Sequence, residues 1–239
     1  MNRKLAAGIF LLILGIVTGF IAALNANQHL LNAGIGAVVI GTVLIAFSFA
    51  KESSEHLILP YHEFLKKVAA FMEIKKSIYI PPFEGFPDGA VFLAASNEFE
   101  IDLARLDKGN IFVSGREKES GILLEAPGRE IVKKFEEFAE VDLKGYGTAV
   151  SEICSSVLKA LKLARDVEIF EDDGLRIAID GVSFGFCSDE CRLIQCPICS
   201  SVLLAATKAI GELIAVEEIR IGEGIEIRAK KLGGIEKWM

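Results

Sequence analysis

The chain has 239 residues, 51% of them hydrophobic and 25% charged, with a formal net charge of −7 and a mean hydropathy of +0.42. Such apolar content beside an ordinary charge fraction requires segregated charge, and Arg3 and Lys4 are indeed the only charged residues among the first fifty. That distribution excludes a chain soluble throughout, a polytopic transporter and a disordered polypeptide. The acidic remainder also excludes nucleic acid as a partner, because a polyanion needs a clustered basic face.

Leu5 to Leu24 is an apolar run whose one polar side chain is Thr18. At about 1.5 Å per residue it matches a hydrocarbon core of roughly 30 Å. An uncharged link, Asn25–Asn32, leads to a second apolar run, Ala33–Ala50. Together they predict a transmembrane helical hairpin over residues 1–52, with the lipid bilayer as partner. A cleaved signal peptide is the rival, since Asn2-Arg3-Lys4 resembles its basic leader; the missing small-residue cleavage site and the immediate second span favour an anchor. Small residues recur at four-residue spacing, Gly15, Gly19 and Ala23 in the first run and Ala33, Ala37 and Gly41 in the second. Such stripes allow helices to pack closely in lipid, within the hairpin or against a protein partner or second copy. Arg3, Lys4, Lys51, Lys66 and Lys67 flank the spans and the link has no basic residue. Both termini and the soluble domain are therefore expected on the cytoplasmic side of the cell membrane.

Residues 53–239 read as an α+β domain. Tyr61–Met72, just after Pro60, has the period of an amphipathic helix with Phe64, Leu65, Val68, Phe71 and Met72 on one face. Strands are expected at Ser77–Ile80, Ala90–Ala95, Phe99–Leu103, Ile111–Ser114 and Ile122–Glu125, with turn chemistry at Asp107-Lys108-Gly109-Asn110. Arg129–Glu140 is expected to be a helix burying Ile131, Val132, Phe135 and Phe138.

The C-terminal third contains an internal echo. Ile153-Cys154-Ser155-Ser156-Val157-Leu158 returns letter for letter as Ile198-Cys199-Ser200-Ser201-Val202-Leu203. Each copy sits early in an expected helix, Thr148–Arg165 and Pro197–Ala215, and each helix precedes two short strands. These are Val167–Phe170 with Leu175–Ile179, joined at Asp172-Asp173-Gly174, and Glu218–Ile221 with Ile225–Ala229, joined at Gly222-Glu223-Gly224. The pattern predicts a helix–strand–strand unit used twice, over residues 148–180 and 197–230, with helices on one face of a mainly antiparallel sheet.

Four of the five cysteines fall within thirteen residues, as Cys187, Cys191, Cys196 and Cys199 in the pattern C-x3-C-x4-C-x2-C. Four soft sulfur ligands suit tetrahedral zinc or an iron–sulfur cluster. A second reading is thiol redox catalysis by Cys196-Pro197-Ile198-Cys199, which has the CPxC form found in glutaredoxins; a helix starting at Pro197 would lower the thiol pKa of Cys196. A third is structural, with the sulfurs packed in the core or joined as disulfides. No other catalytic pattern is present. His29, His56 and His62 form no triad, Gly181-x3-Gly185 is no phosphate loop, and the carboxylate pairs Glu136-Glu137, Asp172-Asp173 and Glu217-Glu218 read as solvated surface.

The two-span layout, followed by Ile78-Tyr79-Ile80-Pro81-Pro82 and then Val91-Phe92-Leu93, resembles a family of uncharacterised archaeal membrane proteins. The resemblance implies an N-terminal hairpin and a C-terminal α+β portion, and brings no activity or site residues with it. The function expected is a membrane-anchored cytosolic binding or assembly module carrying a cysteine metal site. The alternatives are a membrane-tethered thiol oxidoreductase and a structural subunit of a membrane complex.

Overall fold

The computed structural model describes residues 3–25, 27–106, 112–113, 117–140, 142–172, 174–182, 187, 191 and 193–239, without the side chains of residues 3–5, 46–63 and 117. The expected turn at 107–110, Ile111 and Ser114 of the expected strand, Asp173 and Gly185 lie outside them. The backbone divides into two compact units, Met1–Tyr61 and His62–Met239.

In the first unit α1 spans Arg3–Leu24, and α2 (Gln28–Phe71) starts there and runs on into the second unit. The link is shorter than expected because asparagines close it. Asn25 Nδ2 donates to the Ile21 carbonyl at 2.9 Å, and Asn27 Oδ1 accepts from the Leu30 N–H at 3.2 Å, so α2 is capped and resumes at Gln28. Segments Ala6–Leu24 and Gln28–Ile45 are long and apolar enough to cross a membrane, by length and composition.

The positions enclosed between these helices are Gly8, Gly15 and Ala22 in α1 and Gly34 and Gly41 in α2, so they recur every seven residues and not every four. A Cβ at Gly15 would lie 2.7 Å from the Val38 nitrogen, and one at Gly41 would lie 2.7 Å from the Leu12 nitrogen. Gly19, in contrast, would carry a Cβ with nothing within 4 Å, and Ala23 and Ala33 are exposed. Two helices that stay in contact along their length meet every 3.5 residues, which turns the stripe into a heptad.

Helix α2 also passes Pro60 without a break, where a separate helix was expected to begin. Proline removes one N–H donor, but a helix with good helix formers on both sides survives the loss of a single bond.

The second unit is an eight-stranded, wholly antiparallel sheet in the order β3-β4-β2-β1-β7-β8-β6-β5. The strands are β1 Lys76–Ile80, β2 Ala90–Ala94, β3 Phe112–Val113, β4 Gly121–Leu124, β5 Asp166–Glu171, β6 Leu175–Asp180, β7 Glu212–Ile221 and β8 Gly224–Gly234. Helices α3 (Arg129–Ala139), α4 (Val150–Ala160) and α5 (Pro197–Ile210) pack with Tyr79, Val91, Leu93, Ile177, Ile179 and Ile227 in the main core. The opposite face of β1, β2, β4 and early β7 is also covered. Ile78, Ile80, Phe92 and Leu123 meet Phe86, Leu103, Leu106 and the Trp238 segment in a second core. Burial on two faces explains the unbroken apolar run of β2 and the burial of every β1 residue after Lys76. Strands β5 and β6, with one face open, alternate instead.

Several boundaries move. Phe99–Leu103 forms no strand: β2 is already paired on both sides by β1 and β4, and Asp102 Oδ1 accepts from the Ala104 N–H at 3.1 Å, starting a 3-10 turn at Leu103–Arg105. The alternating burial of Ile101 and Leu103 comes from their lying on the second core. Phe138 is 61% exposed although α3 buries Val132 and Phe135. Helix α5 stops at Gly211, which adopts φ 76° and donates to the Thr207 carbonyl, so Glu212 to Ala215 enter β7 and not the helix. The duplicated unit is present as α4-β5-β6 and α5-β7-β8, and the equivalent strands β6 and β8 pair with each other, Ile177 opposite Ile227.

Replacing Gly15 by Leu should lower the thermal stability of the hairpin in detergent micelles by about 2 kcal/mol or more, because the side chain meets backbone. Gly19→Leu should leave it within about 0.5 kcal/mol of the parent. Circular dichroism melts of the two variants check this, and equal destabilisation would refute the heptad packing.

Candidate metal centre

Helix α5 begins at Pro197, whose missing N–H is no loss in a first turn and whose ring suits the helical φ. Cys196 precedes it in extended backbone, with φ −60° and ψ 160°, and its carbonyl accepts from the Ser200 N–H at 2.8 Å. Cys199 follows on the first turn. The C-x2-C spacing thus places two sulfurs at one helix end, and Cys187 and Cys191 come from the segment leading into it.

The four thiols converge. The sulfurs of Cys187, Cys191 and Cys196 all lie within 4.8 Å of one another, and Cys187 Sγ is 3.8 Å from Cys199 Sγ. Cys191, Cys196 and Cys199 are fully buried and Cys187 is half-buried; none of the five cysteines is joined in a disulfide. The structure thereby brings together all four residues singled out in the sequence. Cys154, the echo of Cys199, packs in the main core beneath α4, where burial pushes its thiol up.

The thiols polarise one another. Hydrogen bonding from Cys187, then from Cys191 and Cys199, holds the Cys196 thiol well below its ordinary range despite burial, and the Cys199 backbone N–H adds to this. Cys187 is pushed up by its bonds to Cys191, Cys196 and Cys199, and then by burial. At Cys199 the Cys187 thiol acts downwards, but the Cys196 thiol and complete burial outweigh it and raise the group. Four sulfur donors that converge in a largely buried site are chemically suited to a soft cation.

A buried polar network fixes the cluster to the sheet. Tyr79 of β1 donates from its hydroxyl to Gln195 Oε1 at 3.0 Å, and Gln195 Nε2 donates to Ser77 Oγ at 3.0 Å and to the Cys191 carbonyl at 3.4 Å. Ser77 Oγ donates in turn to the Leu193 carbonyl at 2.9 Å. Burial raises the Tyr79 phenol far above its usual value, which keeps it a neutral donor. On the other side Gly128, just before α3, sits so close to α5 that a Cβ would lie 2.1 Å from the Ser201 nitrogen, and its N–H donates to Ser200 Oγ at 3.2 Å. Sequence reasoning missed Ser77, Tyr79, Gln195 and Gly128. The available signal was Ser77 and Tyr79 on alternate positions of an otherwise apolar strand.

Of the carboxylate pairs, Glu137, Asp172, Glu217 and Glu218 are exposed and Glu136 is half-buried. Glu136 is paired with Lys208, Glu137 lies 2.6 Å from Lys134, and Glu218 lies 2.8 Å from Arg220. His29 is exposed.

Gln195→Leu removes the acceptor for Tyr79 and the donor for Ser77 and Cys191 at once. It should cost about 1–3 kcal/mol of stability, the penalty for leaving buried polar groups unpaired. Chemical unfolding of the variant measures it, and a loss below about 0.5 kcal/mol would show that the network is dispensable.

The sequence profile described as a domain of unknown function, DUF7982, matches residues 2–223. No curated protein and no solved structure matches the chain. The match covers both apolar helices, the cysteine cluster and all of the sheet but β8 within one profile, and the chain belongs to the DUF7982 family.

Proposed function

We propose that this protein is a membrane-anchored module whose soluble unit is organised around a zinc ion held by Cys187, Cys191, Cys196 and Cys199. The observation that carries the reading is the convergence of four thiols at one buried point. Its spacing favours a single ion. Four thiolates on tetrahedral zinc, each about 2.3 Å from the metal, stand about 3.8 Å apart. Thiolates on a four-iron cluster each bind a different iron and stand roughly 6 Å apart. The contact of 3.8 Å between Cys187 and Cys199 and the limit of 4.8 Å among Cys187, Cys191 and Cys196 fit the first case.

Four protein ligands leave no coordination position for a substrate, so the ion's role is structural. It would tie the segment from Cys187 to Cys196 to the first turn of α5, the element on which the whole helical layer packs. Thiol exchange with another protein is the weaker alternative, because it needs an accessible sulfur at Cys196 and that residue is fully buried.

The anchor reading rests on exposure. Phe10, Ile16 and Phe20 of α1 and Ile35, Ile40 and Val43 of α2 are all exposed, a pattern that suits a lipid surround and not a water-facing helix pair. The charges of Arg3, Lys4 and Lys51 support a cytoplasmic soluble unit. There it would present its surface to partners of the membrane or of a membrane complex.

Protein purified anaerobically in detergent should contain zinc at about one equivalent per chain, as expected for a single four-thiolate site. Cys191→Ser and Cys196→Ser should each lower zinc retention against a competing chelator at least about tenfold. Iron with acid-labile sulfide, or no metal, would refute the zinc reading. In the second test, the full chain should stay with membranes through alkaline carbonate extraction; its release would refute the anchor.

A further inference from the structure

Cys187 differs from its three companions in exposure. Cys191, Cys196 and Cys199 are fully buried, whereas Cys187 is half-buried and borders a small crevice. Among the described residues, Val182, Ile221, Gly222, Glu223, Gly224 and Ile225 also border that crevice, which has a volume of about 20 Å³. A space of that size takes a molecule as large as water, for which roughly 10–15 Å³ suffices. Hydrogen peroxide is close to that size, and a tripeptide thiol is far larger. Cys187 Sγ lies 3.8 Å from Cys199 Sγ. A disulfide would need these two atoms to close to about 2.05 Å.

We propose that Cys187 is an oxidation site through which a small hydroperoxide opens the metal centre, with Cys199 as the resolving thiol. The proposal rests on the zinc reading above. In the loaded site all four sulfurs are thiolates, and exposure decides which one an oxidant meets. The Cys187 thiolate attacks one peroxide oxygen; an S–O bond forms, the O–O bond breaks, and the leaving hydroxide takes a proton from solvent. Sulfenic acid remains at Cys187. The Cys199 thiolate then attacks that sulfur; the S–S bond forms, the S–O bond breaks, and a second hydroxide leaves as water after protonation. The two thiolates have together lost two electrons and the hydroperoxide has gained them. Zinc is left with Cys191 and Cys196 and dissociates, releasing the segment before α5 from the helix it was tied to.

The test uses the full chain in detergent micelles, with zinc counted before any oxidant is added. A few equivalents of hydrogen peroxide are then supplied with a chromogenic chelator and a sulfenic-acid trap, and peptides are mapped without reduction. The expected result is trap on Cys187 ahead of the other cysteines, a Cys187–Cys199 disulfide when the trap is omitted, and zinc release that keeps pace with it. Glutathione disulfide at the same concentration should release zinc at least tenfold more slowly, because the crevice excludes it. Cys187→His keeps a four-ligand zinc site, since three cysteines and one histidine are an ordinary zinc set, and should slow peroxide-driven release at least tenfold. First modification at Cys191 or Cys196, disulfides that omit Cys187, or equal release from the histidine variant would overturn the proposal while leaving the zinc reading intact. If the variant fails to hold zinc, the peptide map of the parent protein decides alone. Absence of zinc at the initial count overturns both.

Discussion

Helix α5 is enclosed on every side: Ile198 to Ala209 are all buried, between α3 and α4 and over β1 and β7. A helix in that position cannot leave the polar groups of its first turn to water, so the protein has to satisfy them internally. The surrounding architecture follows from this requirement. Gly128 brings its backbone against Ser201, and its N–H reaches Ser200 Oγ. The segment before the helix supplies Gln195 to meet Tyr79 and Ser77 on the neighbouring strand. The four thiols occupy the same corner, where sulfur is tolerated as an apolar atom and, on losing its protons, becomes a ligand.

The repeated hexapeptide shows how far environment governs what a sequence means. In α4 it lies on a surface helix, with Cys154, Val157 and Leu158 buried and Ser156 exposed. In α5 the same six residues are all buried, and both serines turn inward to hydrogen bonds within the core. Pairing of β6 with β8 places the two copies beside each other in one sheet, but β1 then adds to β7 and covers only the α5-β7-β8 copy. The α4-β5-β6 copy stays at the edge, where its helix keeps a wet face.

Much of the fold was legible because periodicity reports burial. The alternation of β5 and β6 goes with one-sided burial and the apolar run of β2 with burial on both faces, and all four segments were expected as strands. The same signal failed at Phe99–Leu103, where alternate residues are buried against a loop-covered sheet face without any strand pairing. It also failed in the hairpin. Gly19 and Gly15 look alike in sequence, yet a side chain at Gly15 would meet the other helix and one at Gly19 would point away from it, because the enclosed positions repeat every seven residues. Trp238, opaque in the sequence, closes the second core by stacking on Phe99 at 6.1 Å between centroids.

By itself the sequence determined the segregation of apolar from charged residues, the α+β class, the duplicated unit and the identity of the four clustered cysteines. These depend on composition and local spacing, which a single chain carries in full. Only the tertiary structure decided that all four sulfurs meet, that three are fully buried and that Cys187 borders a crevice beside the β7–β8 turn. Spacing constrains Cys196 and Cys199 because one helix turn joins them. The remaining convergence depends on how the preceding segment is held to β1 by Gln195 and Ser77, and those contacts join residues more than a hundred positions apart.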